Sequence, residues 1–152
     1  MFFFRKPKQL LPKAEQDFIV AAVKKAEATT TGEIRVYVES HCTYVDAMQR
    51  AQELFGSMNM HQTENRNAVL VYLATEDKQF ALLGDENIYK LAGGAEFWQG
   101  AAFKLQSHLR NGAFAKGLEE CVQELGKVLA IHFPFTGTVN ENELPDEIVF
   151  GK

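Results

Sequence analysis

The chain has little of what usually betrays a function. Its two cysteines, Cys42 and Cys121, form no CxxC pair and are too few for a disulfide framework, which predicts a reducing compartment. The four histidines, His41, His61, His108 and His132, show neither HxH nor HExxH spacing, so a zinc centre is not expected. There is no GxSxG nucleophile elbow and no GxxxxGK[ST] phosphate loop. A formal charge of −4 argues against a nucleic-acid binder, which normally carries a basic stripe. No run approaches the roughly 20 apolar residues that span a bilayer. The opening "MFFFRKPK" offers three phenylalanines where a signal peptide needs about 7–15 apolar residues. The expected location is cytoplasmic.

What is present is an ordinary globular composition, 46% hydrophobic and 24% charged over 152 residues, enough for one domain with a substantial core. The ends carry opposite charge. Arg5, Lys6, Lys8 and Lys13 make the first thirteen residues basic, and Glu141, Glu143, Asp146 and Glu147 make the tail acidic; short charged termini are ordinarily solvated. Phe2–Phe4 beside Arg5 and Lys6 leave three readings open: a membrane-surface contact, packing against the domain, or an oligomer contact.

Periodicity sets the elements. Pro12 suits the first turn of a helix, and Ala14, Phe18, Ile19, Ala22, Val23 and Ala26 follow at helical spacing. "EIRVYVES" alternates, with Ile34, Val36 and Val38 on one face and Arg35, Tyr37 and Glu39 on the other, a strand with one buried face. Val45, Met48, Ala51, Gln52 and Phe55 predict a second helix over residues 44–56. "AVLVYLA" is almost wholly apolar and reads as a central strand covered on both faces. "TEDK" turns the chain into "QFALLG", completing a hairpin.

"LAGGAEF" opens a third helix with Trp98, Ala101, Ala102, Leu105 and Leu109 on one side, ended by Asn111-Gly112. A fourth carries Phe114, Leu118, Cys121, Val122, Leu125 and Leu129 inward and closes at Pro134. The remainder, with Leu144, Ile148, Val149 and Phe150 set among acids, has no helical period. The expected divisions are a basic lead over residues 1–10, an α/β domain over residues 11–135, and an acidic tail over residues 136–152 docked on that domain. The order predicts an α/β fold, a three-layer α/β/α sandwich whose small mixed sheet is flanked by about four helices. The first two strands should be parallel through a right-handed crossover and the third antiparallel.

"TTGEIRVYVES", "NRNAVLVYLATEDKQFALLGDENI" and "FAKGLEECVQELGKVL", in that order, resemble the TPM domain, a family that includes a thylakoid lumen acid phosphatase and a photosystem II repair protein. The resemblance covers about residues 11–133, and "NELPDEIVFG" is similar to the ending of a short, soluble bacterial branch. It implies an α/β/α sandwich with a shallow acidic site at one sheet edge, divalent-cation binding, and weak phosphomonoester hydrolysis in some members. By the same resemblance, Glu33 takes the acidic place in "TGxEI", Asn67 the Asn of "DNG", and Gly84 the first glycine of "GxG". The chain departs from those motifs where Arg66 stands for the Asp of "DNG", Ala68 for its Gly, and "GDE" for "GxG". A guanidinium in place of a hard oxygen ligand weakens a cation site and favours an anionic ligand.

Candidate chemistry therefore gathers where the apolar run of "FALLGDENI" gives way to acids. Glu33, Asn67, Asp85 and Glu86 are the candidate metal ligands, for Ca²⁺ or Mg²⁺, since hard cations need several convergent oxygens; such an ion could activate a water for phosphoester hydrolysis. The competing reading is that Asp85 only caps or turns the chain after Gly84. Cys42 follows His41, but neighbours on a strand point to opposite faces, so they are not expected to act as a nucleophile pair. Two functions follow. One is a non-catalytic binding module for a protein partner or divalent cation that needs no cofactor. The other is a weak cation-dependent phosphomonoester hydrolase.

Overall fold

The computed structural model describes residues 11–44, 46–137 and 148–151. Phe2–Phe4, Arg5, Lys6, Lys8, Val45 and the acidic run containing Glu141, Glu143, Leu144, Pro145, Asp146 and Glu147 lie outside the described residues.

Helix α1 (Lys13–Glu27) leads into strand β1 (Glu33–Glu39) and helix α2 (Ala47–Ser57). A 3-10 turn at Met60–Gln62 precedes β2 (Ala68–Ala74), β3 (Gln79–Gly84), α3 (Glu86–Leu91), α4 (Ala95–Arg110) and α5 (Phe114–His132); β4 (Val149–Phe150) ends the described chain. The sheet order is β3-β2-β1-β4, with β1 parallel to β2 and β4, and β3 antiparallel to β2.

β2 places the layers. All seven of its residues are buried, so neither face can meet water and each needs its own core. Val69, Val71 and Leu73 join Ile19, Val23, Leu105, Leu118 and Leu125 on the side covered by α1, α4 and α5. Leu70 and Tyr72 join Ala51, Leu54, Phe55 and Met60 under α2. The result is the α/β/α sandwich with a mixed sheet. α1 and α5 meet so closely that a Cβ on Gly126 would lie 2.7 Å from the Ala26 Cβ; Cβ atoms do not approach so near, and only glycine fits there.

Three elements differ from the sequence reading. "ENIYKL" forms a further helix, α3, because Asp85 caps it and Ile88 reaches the core, giving five α-helices among the described residues where about four were expected. α2 starts at Ala47, after Asp46, whose side chain accepts the Met48 N–H. The polar face of β1 is not solvated: Glu33, Arg35 and Glu39 are all buried. Alternation gave the correct strand and faces, but the second face is covered as well, with Glu39 paired to Arg50 of α2.

β4 adds Val149 and Phe150 beside Tyr37 and Val38, Gly151 N–H donates to the Val38 carbonyl at 2.8 Å, and Ile148 is buried in the larger core. Full burial of an isoleucine stabilises by about 1.5–3 kcal/mol. Deleting residues 148–152 should therefore lower the melting temperature by about 4–8 °C. A calorimetric scan with no shift would show that β4 contributes nothing to stability.

Candidate functional site

Register brings the candidate ligands to one edge of the sheet. Glu33 opens β1 opposite Ala68, the first residue of β2. Asp85 lies across from the same residue, its N–H donating to the Ala68 carbonyl at 2.9 Å. Glu33, Ala68 and Asp85 thus form one row, and two strand spacings separate the outer pair by roughly 10 Å at Cα. Asn67 stands immediately before β2 and is fully buried. Glu86 begins α3 with its side chain 58% exposed.

The acids do not converge on a common point. Among the described residues no group of three or more His, Cys, Asp or Glu side chains is placed to hold a metal ion. Asp85, 6% exposed, is already engaged. Its Oδ2 accepts from Arg66 Nε at 2.7 Å, and its Oδ1 accepts from Arg66 Nη2 at 2.8 Å and from the Glu86 N–H at 2.8 Å. The hydrogen bonds to Asp85 hold the Arg66 guanidinium pKa above its ordinary value, and Arg66 Nη1 also approaches Glu86 Oε1 at 3.6 Å. This two-pronged geometry is the strong form of the carboxylate–guanidinium pair.

The loop before β2 is built to deliver that guanidinium. Arg66 adopts φ 49°, a left-handed conformation uncommon outside glycine. Its carbonyl accepts the Asn87 N–H at 3.2 Å, and Asn87 Nδ2 donates to the Asn65 carbonyl at 2.9 Å. The loop and the start of α3 are thereby tied together. Asn67 Nδ2 donates to Thr31 Oγ1 at 3.4 Å, while its buried Oδ1 has no hydrogen-bond partner. Glu33 shares the buried face of β1 with Arg35, whose pKa is lowered by burial and raised in part by Glu33. Gly84 is fixed by packing, since a Cβ there would sit 2.5 Å from the Trp98 ring.

The opposite end of the sheet holds a polar centre that sequence reading did not single out. Glu39, 4% exposed, accepts from Arg50 Nε at 2.9 Å, from Arg50 Nη2 at 3.0 Å and from the buried Tyr72 hydroxyl. Burial raises the Tyr72 pKa, helped by the bond to Glu39, so the phenol stays neutral. Every oxygen has a partner and no reactive group is free, which makes this a structural cross-tie between β1, β2 and α2. The i, i+4 and i+3 periodicity of α2 gave no warning of it, because Arg50 reads as an exposed helical residue.

His41 turns away from Cys42. Its Nδ1 lies 3.0 Å from Asp77 Oδ1 and its Nε2 lies 2.9 Å from Glu76 Oε2, while the Cys42 N–H donates to Asp77 Oδ2 at 2.6 Å. That arrangement pins the β2–β3 turn and leaves no thiol–imidazole pair. Cys121 is core, and burial pushes its thiol up to about 12. His108 Nε2 pairs with Glu120 at 2.5 Å across α4 and α5.

Replacing Asp85 by alanine removes a helix cap and leaves Arg66 without its partner. The cap alone is worth about 1 kcal/mol, so Asp85→Ala should cost about 1–2 kcal/mol in urea unfolding. Asparagine caps nearly as well, so Asp85→Asn should cost less. Equal stability of wild type and Asp85→Ala would show that neither interaction matters.

The comparisons with known proteins agree with this architecture. No curated protein matches the chain. The NMR structure of the BA42 protein from the psychrophilic bacterium Bizionia argentinensis is 34% identical, with a TM-score of 0.86 over 96% of this chain and 99% of that one. The N-terminal domain of cg2496 from Corynebacterium glutamicum has a TM-score of 0.62 at 17% identity, covering 78% of this chain and 74% of that one. The N-terminal domain of a P. gingivalis protein has a TM-score of 0.57 at 15% identity, covering 85% and 83%; these last two bear on the fold alone. The model of the TPM domain matches residues 5–128, and the chain belongs to the TPM domain family.

Proposed function

We propose that this protein is a non-catalytic binding module that engages a protein partner, with at most weak affinity for Ca²⁺ or Mg²⁺ and no required cofactor. One observation carries the reading: Asp85, the best-placed acid of the sheet edge, is held by both prongs of Arg66. A cation would have to displace that guanidinium before it could use the carboxylate, and Glu33 stands a further two strands away. Among the described residues His41 is tied to Glu76 and Asp77 and His108 to Glu120, so neither imidazole is paired with a nucleophile at this edge. No helix among the described residues is long and apolar enough to cross a membrane, and with both cysteines free we assign the module to the cytoplasm.

The second reading is a weak cation-dependent phosphomonoester hydrolase. It draws on Asn67 Oδ1, a buried oxygen without a hydrogen-bond partner at the same edge. Buried polar atoms ordinarily find a partner, and a cation or its water would supply one.

Phosphomonoesterase assays in Mg²⁺, Ca²⁺ or chelator separate the two. The module reading expects no turnover above background in wild type or Asp85→Asn. It also expects Arg66→Ala, which releases Asp85, to show a larger Ca²⁺-dependent rise in melting temperature than wild type. Chelator-sensitive turnover that Asp85→Asn abolishes would overturn the module and establish the hydrolase.

A further inference from the structure

Among the described residues β3 ends the strand order and has no strand on its outer side, and a groove runs along it. The hydrogen bond from the Asp85 N–H to Ala68 fixes which groups face β2. In an antiparallel ladder the bonded residues alternate, so Gln79, Ala81 and Leu83 bond inward and the backbone N–H and C=O of Phe80, Leu82 and Gly84 point away from β2. Unpaired edges of this kind template the addition of another strand.

Helices flank that edge on both faces. α2 contributes Met48 and Gln52, and α4 contributes Trp98, Gln99 and Ala102, to a groove of about 470 Å³ along β3. Trp98 is a fixed wall: its Nε1 donates to the Tyr89 carbonyl at 3.2 Å, and its ring stacks on Tyr89 at 6.1 Å and meets Phe97 edge-on at 5.2 Å. Side chains of an added strand would enter two troughs alternately, one between Met48 and Leu83, the other between Leu82 and Trp98.

The geometry decides against the β3 edge of a second copy as the occupant. α2 packs chiefly over β3. Pairing β3 with β3 of another copy would bring two α2 helices to about one strand spacing, roughly 5 Å. Packed helices need about 8–10 Å between axes. A single extended segment has no such helix and fits between α2 and α4. Charge selects its chemistry further. Asp46 is the one charged residue among the described residues lining the groove; it is exposed at the start of α2, and only its Oδ1 is used on the Met48 N–H, so its charge favours a ligand cation.

We infer that the β3 edge is a strand-addition site for an extended, apolar peptide segment of a partner protein that carries a lysine or arginine at the Asp46 end. This rests on the binding-module reading and gives the partner a surface separate from the Arg66–Asp85 edge.

The test uses the full chain and a capped synthetic peptide, Lys-Val-Thr-Val-Thr-Val. Trp98 is the only tryptophan, so its emission reports on the groove directly. The proposal expects a saturable change in Trp98 emission and slowed exchange of the Phe80, Leu82 and Gly84 amides. Glutamate in place of the peptide lysine should weaken binding about fivefold, and N-methylation of one central peptide amide about tenfold. Gln52→Arg, a change at an exposed residue, should weaken binding by filling the groove and repelling the lysine. Unchanged Trp98 emission and amide exchange at millimolar peptide would overturn the site, as would binding indifferent to N-methylation and to Gln52→Arg. Failure here leaves the phosphatase assay free of turnover, whereas failure of the module reading appears as turnover.

Discussion

The burial of β2 on both faces is the constraint from which the rest follows. A seven-residue strand with no exposed position cannot lie on the surface of a two-layer fold, because each face must be removed from water by a separate set of apolar groups. That requirement recruits α1, α4 and α5 to one side and α2 to the other. It also fixes β2 beside β1 and leaves β3 at the rim. The polar edge at Asp85 and the open groove along β3 both result from where β2 had to be.

Two of the buried carboxylates sit at strand ends and are paired there. Glu39 is tied to Arg50 and Tyr72, and Asp85 is tied to Arg66. A buried ion needs both a counter-ion and hydrogen bonds to offset lost hydration, and both carboxylates have them. The chemical consequence is that the conspicuous acids of the sequence are structural neighbours before they are ligands. Interaction surface then has to be sought among uncharged features, where unpaired backbone and apolar side chains lie side by side.

The site was partly visible beforehand and partly not. The acidic step after Gly84 and the arginine at position 66 both stood out in the sequence, separated by nineteen positions. That they form one two-pronged pair was not legible, because it depends on a left-handed backbone at Arg66 and on β3 returning antiparallel to the start of β2. α3 was missed because six residues carry too little periodicity to separate a helix from a turn. The burial of Arg35 and Glu39 was not legible either, since alternation reports which residues share a side and says nothing of what covers that side.

By itself the sequence determined α1, α2, α4, α5 and β1 to β3, the central place of β2, the hairpin after it and the membership of Cys121 and Trp98 in the core. These follow from local periodicity and from the apolar content of short segments, which each segment carries alone. Only the tertiary structure decided that Asp85 is neutralised by Arg66, that Glu39 is buried against Arg50, and that Phe80, Leu82 and Gly84 turn their backbone groups away from β2. Each of these depends on groups far apart in the chain meeting at a few ångströms, and such meetings are set by packing and register.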